Sequence, residues 1–357
     1  MAGRTITPPL CLPAINPPEN ARMPSPTKPQ AAYILFHGLL EKVYGPEEQA
    51  DISARLEVID PPLTAEDCLA PGRSWPEVEI VFSSWGMPVV DEIFLERFPR
   101  LRIIFYGAGS IKPFATPALW RRGIRVTNAV AANSVPVCEF SLSQILFGLK
   151  QGWQQALHVR THRRLPEPAT SAGAYGSTVG LVSLGMIGRM VAERLRTFDL
   201  RVIAYDPFVD PAAAARQGVE MVSLDELFAR SDVISCHAPL LQETEKMIGA
   251  RHFRAMKPGA TFLNTSRGAV IDEAGMIEAL RERPDLMAVL DVTHPEPPAT
   301  DSPLYSLGNV VLTPHIAGSI GLECRRMGRA MVEELDRYLA ALPLRHEIDE
   351  ARAARLA

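Results

Sequence analysis

Arg267, Glu296 and His315 fall in three short segments of the second half of the chain: Asn264-Thr265-Ser266-Arg267-Gly268, Asp291-Val292-Thr293-His294-Pro295-Glu296-Pro297 and Thr313-Pro314-His315-Ile316-Ala317-Gly318. A guanidinium, a carboxylate and an imidazole are what hydride transfer to a 2-oxo acid asks of a protein. The arginine's planar fork grips a carboxylate and polarises the neighbouring carbonyl. The imidazole protonates the developing alkoxide, since histidine titrates near neutral pH. The carboxylate fixes the imidazole's tautomer and favours its protonated form. Taken singly, each has a plain structural explanation: a surface arginine capping a turn, an exposed acid between prolines, a histidine filling a turn after Pro314. Each also lies just past an apolar, strand-like run, where α/β sheets present their ligand sites.

A phosphate-binding pattern stands upstream. The run Thr178 to Val182 leads into Ser183-Leu184-Gly185-Met186-Ile187-Gly188 and then a helical pattern. Gly185 lets the backbone approach a pyrophosphate, Gly188 lets helix and strand pack closely, and the N–H groups of Met186 and Ile187 open the helix toward the phosphates. A second strand ends at Asp206, 18 residues after Gly188. A carboxylate there accepts from both ribose hydroxyls and repels a 2′-phosphate, which points to NAD rather than NADP. Ser183 stands where the pattern has its first glycine, so on its own the motif is weak and the turn carries some strain.

These groups need a scaffold. From residue 31 to about 127, short apolar runs (Ala32 to Phe36, Leu56 to Ile59, Glu79 to Phe82, Leu101 to Tyr106, Ile124 to Thr127) alternate with helical patterns. A second series follows: Thr178 to Val182, Arg201 to Tyr205, Val233 to Cys236, Thr261 to Leu263, Met287 to Leu290 and Val310 to Leu312. Such alternation implies two parallel sheets covered on both faces. An apolar helix pattern, Val135 to Gln151, and a polar loop, Arg160 to Gly176, join them; an amphipathic helix, about 321 to 341, ends the ordered chain. Residues 1–30 hold Thr7-Pro8-Pro9, Asn16-Pro17-Pro18 and Pro24-Ser25-Pro26 with few large apolar groups, the composition of a disordered lead-in or, less simply, a polyproline docking segment.

Bulk properties exclude other classes. At 357 residues the chain exceeds one ordinary core. With 47% apolar and 22% charged residues it reads as a soluble globular protein, and a net charge of -4 gives no general attraction to nucleic acid or anionic membrane. No uninterrupted apolar stretch suggests a membrane span, and no secretory signal is visible at the N-terminus. Five scattered cysteines without CxxC spacing suggest reduced thiols in a cytoplasmic protein and no metal site.

The segments around Gly185, Asp206, Cys236-His237-Ala238-Pro239-Leu240, Met256-Lys257-Pro258-Gly259-Ala260, Asn264 to Asp272, Leu290 to Pro298 and Thr313 to Gly318 together resemble the D-isomer-specific 2-hydroxyacid dehydrogenases. The resemblance runs from about residue 31 to 341 and is most specific from 178 to 318. It implies an α/β protein of two doubly wound parallel-sheet domains, with an NAD-binding Rossmann domain (131–321) inserted into a flavodoxin-like substrate domain (31–130 plus 322–357). It further implies a homodimer acting on a small 2-hydroxy or 2-oxo acid. By position, Arg267 matches the substrate arginine, and Glu296 and His315 match the acid–histidine pair. Asp291 matches a contact near the nicotinamide, while Ala238, Thr265, Ser266 and Gly318 line the dinucleotide. The backbone N–H groups of Ala108 and Gly109 would hold the substrate carboxylate, and Ser84-Trp85-Gly86 falls on the other substrate loop.

The chain departs from that pattern in places. After Gly109 it reads Ser110-Ile111-Lys112, where the family usually has an apolar residue followed by Asp-Asn, and His294 takes a commonly acidic position. Both bear on substrate identity; Trp85 and Tyr106 near the substrate loops also leave room for a bulky or aromatic 2-oxo acid. Glu296 separates the chain from the related formate dehydrogenases, which carry glutamine there. The alternative from another class is an NAD(H)-sensing binding protein of the same fold, corepressor-like, with no physiological turnover.

Overall fold

The computed structural model describes residues 28–166 and 173–354. The Pro-rich lead-in, apart from residues 28–30, and the middle of the loop expected at 160–176 lie outside the described residues.

Two sheets organise the chain. The first contains β1 (Gln30–Ile34), β2 (Glu57–Val58), β3 (Val78–Ser83), β4 (Ile103–Tyr106) and β5 (Arg125–Asn128). The second contains β6 (Thr178–Val182), β7 (Arg201–Tyr205), β8 (Val219–Met221), β9 (Val233–Cys236), β10 (Thr261–Asn264), β11 (Met287–Leu290) and β12 (Val310–Leu312). A last strand, β13 (Glu347–Ile348), returns to the first sheet. The orders are β13-β5-β4-β3-β1-β2 and β12-β11-β10-β9-β6-β7-β8. All pairings are parallel except β13 against β5, where Glu347 faces Thr127 and Ile348 faces Val126. Every residue of β6, β9, β10 and β11 is buried, as sheets covered on both faces require. Strand order reverses between β1 and β3 in one sheet and between β6 and β9 in the other, and ligand crevices of α/β sheets open at such points.

The helix Val130–Leu149 carries the chain from one sheet to the other. It is long and apolar enough to cross a membrane by length and composition. Here Cys138, Ile145 and Leu149 instead pack with Leu181, Val233 and Leu263 of the second sheet. Gly152–His162 forms a further helix, part of it inside the loop expected from residue 160. Its first residues follow the left-handed Gln151, and its weak apolar periodicity hid it from the sequence pattern.

The helix Cys324–Leu339 lies back on the first sheet. Met327, Met331, Val332 and Leu335 pack against Tyr33, Phe82 and Phe105. At Gly328 a Cβ would come within 1.9 Å of the Val43 carbonyl oxygen, so the helix approaches that segment backbone to backbone. Ordered structure continues past residue 341, contrary to expectation. The buried Glu334 carboxylate accepts the N–H groups of Arg345 (3.0 Å) and His346 (3.3 Å), and Glu347 pairs with the Arg125 fork at 2.6 and 2.8 Å. A two-residue strand leaves no periodic trace, and only these anchors make it visible.

One ion pair joins this returning helix to the start of the fold. Glu48, only 5% exposed, accepts from Arg329 Nε at 3.0 Å and Nη2 at 2.7 Å, and Arg329 also reaches Asp51. Removing the cation strands a buried carboxylate. We expect Arg329→Met to cost about 3–5 kcal/mol in urea unfolding, and Arg329→Met with Glu48→Leu to recover part of it. An unchanged midpoint for the single variant would show the pair to be dispensable.

Candidate active site

The dinucleotide turn begins where β6 ends. Ser183 sits at φ 78, in the left-handed region that favours glycine, which accounts for the glycine usual at this place. Two hydrogen bonds support the turn: Asp206 Oδ2 accepts from Leu184 N at 2.9 Å and from Ser183 Oγ at 3.2 Å. Asp206 thus couples the ends of β6 and β7. Its other oxygen accepts Phe208 N–H at 2.9 Å and keeps a lone pair for a ribose hydroxyl. Gly185 and Met186 are exposed and Ile187 is half-buried, at the N-terminus of the helix Met186–Leu195, whose first N–H groups have no partner within the helix. At Gly188 a Cβ would meet the Ser183 carbonyl oxygen at 2.1 Å. The turn therefore fits a pyrophosphate and tolerates no side chain at its closest approach.

Further along the crevice, Ala238 is buried just past β9. Thr265 and Ser266 follow β10 with their hydroxyls turned inward: Thr265 Oγ1 lies 3.2 Å from Ser141 Oγ, and Ser266 Oγ donates to Asn264 Oδ1 at 2.8 Å. Gly318 packs beside Asn133, whose Oδ1 accepts Ser319 N–H at 2.8 Å. Asn133 tethers this segment to the helix Val130–Leu149; no spacing in the sequence singles it out.

Asn264, fully buried, shapes the arginine turn. Its Oδ1 accepts Ser266 N–H at 3.0 Å and its Nδ2 donates to Arg267 O at 3.1 Å. An asparagine closing a strand is a known turn former, and that signal marks it. Gly268 then runs against the next loop, since a Cβ there would lie 2.0 Å from the Thr293 carbonyl carbon. This contact brings the arginine turn to the segment carrying Glu296. Arg267 is half-buried. Burial lowers its guanidinium pKa below the ordinary value, and the nearby Glu296 carboxylate opposes that shift. Among the described residues no carboxylate lies within ion-pair distance of Arg267.

Glu296 and His315 meet directly, with Oε1 2.6 Å from Nδ1. His315 takes φ 54, a left-handed conformation that costs about 1–3 kcal/mol and persists only where its surroundings impose it. Asp291 imposes it. Only 2% exposed, it accepts from Thr313 Oγ1 at 2.6 Å, Ile316 N at 2.8 Å and Ala317 N at 2.9 Å. Its backbone oxygen accepts His315 N–H at 3.0 Å. The carboxylate assigned from sequence to the cofactor is thus mostly engaged in building the histidine turn. A cavity of 410 Å³ opens beside the pair, lined by Asp291, Glu296, Tyr305 and His315.

The carboxylate-binding loop needs one correction. The Ala108 N–H already donates to Tyr106 O at 2.8 Å, a bond formed because the chain turns sharply after β4. Ala108 is also fully buried. The Gly109 N–H has no protein acceptor among the described residues, and Gly109 is half-exposed. Of the two, Gly109 is free to hold an anion.

Two outcomes follow from this geometry. Gly188→Ala should weaken NADH binding at least tenfold in a fluorescence titration and lower stability by about 1–3 kcal/mol through overpacking; wild-type affinity would contradict the close approach. His237 follows β9 with its Nε2 3.0 Å from Ser235 Oγ and its Nδ1 buried without a partner. Burial pushes its pKa from 6.5 down to about 4. The unfolded chain therefore binds the extra proton first, so this contribution to stability is lost as pH falls from about 6.5 to about 4. His237→Asn should flatten the stability profile across that window, and an unaltered profile would refute the assignment.

Comparison with known proteins agrees with the site. The family described as D-isomer specific 2-hydroxyacid dehydrogenase, NAD binding domain, matches residues 143–317. A D-3-phosphoglycerate dehydrogenase of Mycobacterium leprae is 36% identical over 251 residues, 70% of this chain and 47% of that protein. A glyoxylate reductase of Korarchaeum cryptofilum is 34% identical over 252 residues, 70% of this chain and 76% of that protein. The chain spans about half the length of the phosphoglycerate dehydrogenases it matches. Among solved structures, one from Thermus thermophilus shares 28% identity at a TM-score of 0.71, over 90% of this chain and 100% of that one. A phosphoglycerate oxidoreductase from Rhizobium etli shares the fold at a TM-score of 0.75 and 23% identity, over 91% of this chain and 99% of that one. With a relative matched over three quarters of its length and an NAD-binding domain matched across the whole second sheet, the chain belongs to the D-isomer specific 2-hydroxyacid dehydrogenase family.

Proposed function

We propose that the protein is an NAD-dependent oxidoreductase that interconverts a small D-2-hydroxy acid and its 2-oxo acid. The observation that carries this is the Glu296–His315 hydrogen bond of 2.6 Å beside an arginine with no ion pair of its own among the described residues. When bound, the nicotinamide supplies or accepts the hydride. The chain does the rest. Arg267 and the Gly109 N–H hold the substrate carboxylate, and the guanidinium polarises the carbonyl. Glu296 holds Nδ1, so Nε2 is the nitrogen that faces the substrate oxygen. In reduction Nε2 gives its proton to the forming alkoxide; in oxidation the neutral ring takes the hydroxyl proton. Burial of Arg267 strengthens its pull on an anion, because less water competes for it.

The same reading makes the protein a homodimer in the cytoplasm. The described cysteines, Cys68, Cys138, Cys236 and Cys324, are free and buried, which suits a reducing compartment. The sensor alternative draws no support from these relatives, whose names are those of a dehydrogenase and a reductase.

The test is steady-state NADH oxidation with a panel of 2-oxo acids. His315→Gln should lower kcat by about 10²–10⁴-fold while NADH still binds in the fluorescence titration. Unchanged turnover would remove the proton-donor role, and binding without turnover on the whole panel would favour the sensor.

A further inference from the structure

Two positions at which the chain departs from its family's pattern, Lys112 and His294, line one cavity of 530 Å³, together with Leu240, Glu243, Glu245 and Ala269. They are 182 residues apart in sequence (294 − 112) and belong to different sheets, so only the tertiary fold brings them together. Lys112 brings a cation where the pattern has a neutral amide, and His294 brings an imidazole where it has an acid.

Lys112 follows the carboxylate-binding loop, three residues after Gly109. Its Nζ donates to Leu240 O, beyond the end of β9, at 3.2 Å. That bond spans the crevice between the two sheets and holds the ammonium there. An ammonium has three donors, so two remain available. No carboxylate lies within ion-pair distance of Lys112 among the described residues. Partial burial lowers its pKa, and the Arg267 guanidinium lowers it further, so the two cations stand close in one crevice. Neighbouring cations repel each other, and an anion arriving in contact with both relieves that repulsion. The single carboxylate of a simple 2-oxo acid would satisfy Arg267 and leave Lys112 unpaired.

We propose that Lys112 makes this site selective for 2-oxo and 2-hydroxy acids that carry a second anionic group, a carboxylate or a phosphate ester, seated against the ammonium in the Lys112–His294 cavity. The inference rests on the function proposed above and names the substrate class within it. Glu243 and Glu245 line the same cavity, and Lys112 is the cation among its lining residues, so a second anion binds there only in contact with the ammonium. The Ala269 wall adjoins the Arg267 turn, which makes the cavity continuous in sequence with the substrate-carboxylate clamp. Lys112 acts on binding rather than on proton or hydride transfer, so its effect belongs in KM more than in kcat.

The experiment compares NADH oxidation on matched pairs: oxaloacetate against 2-oxobutyrate, 2-oxoglutarate against 2-oxopentanoate, and 3-phosphohydroxypyruvate against hydroxypyruvate. The wild-type enzyme should prefer at least one doubly charged acid by about tenfold or more in kcat/KM, the scale of one charge-assisted hydrogen bond. The preferred pair tells carboxylate from phosphate. Lys112→Met should lower kcat/KM for that acid by about 10- to 100-fold, chiefly through KM, and leave its singly charged partner within about threefold. Lys112→Arg should restore most of the preference. Equal losses on both members of a pair would overturn the proposal. So would a wild-type preference for the singly charged acids, a result that needs no variant to fold. Turnover of those acids alone removes this inference and spares the proposed function; no turnover of any acid removes both.

Discussion

The site depends on one buried carboxylate. Asp291, at the end of β11, accepts a hydroxyl and two backbone N–H groups from the segment after β12, while its own carbonyl oxygen accepts His315 N–H. These bonds offset the cost of burying a charge, which would otherwise be several kcal/mol. They also hold His315 in a left-handed conformation that its side chain would not choose alone. The imidazole is thereby aimed at Glu296, which rides on the loop that continues from Asp291 itself. One group thus sets the positions of both members of the Glu296–His315 pair.

A second constraint locates the arginine. Gly268 leaves no room for a side chain beside Thr293, so the turn after β10 and the loop after β11 touch through backbone alone. Asn264 shapes that turn from beneath with three hydrogen bonds. Backbone contact is stiffer than side-chain contact, and the clamp proposed for Arg267 gains from stiffness. The parallel sheet supplies the common origin: β10, β11 and β12 are neighbours, and all three chemical groups leave from the same edge of it.

Opposite this edge stand loops from the first sheet. The Gly109 N–H and Lys112 come from the chain after β4, and the helix Cys324–Leu339 and β13 bind the far end of the chain back to that sheet. The crevice is therefore lined by segments distant in sequence. Its polarity is mixed: Lys112 shares a cavity with Glu243 and Glu245, and Asp206 stands at the nucleotide turn.

Local chemistry made much of this legible in the amino-acid order. Short apolar runs marked eleven of the strands, most plainly β6, β9, β10 and β11, because a strand buried on both faces is apolar throughout; the glycine-acid spacing marked the nucleotide turn, because backbone sterics demand small residues there. Residue type also singled out Arg267, Glu296 and His315 as candidates, since few side chains can clamp an acid or pass a proton. The strands Val219–Met221 and Glu347–Ile348 stayed hidden, as each depends on partners supplied by the rest of the fold. The engagement of the Ala108 N–H, the inward turn of the Thr265 and Ser266 hydroxyls, and the work of Asp291, Asn264 and Asn133 were likewise set by tertiary structure. Each of these depends on who accepts or donates a hydrogen bond across the fold, and no local pattern encodes a partner that arrives from another strand.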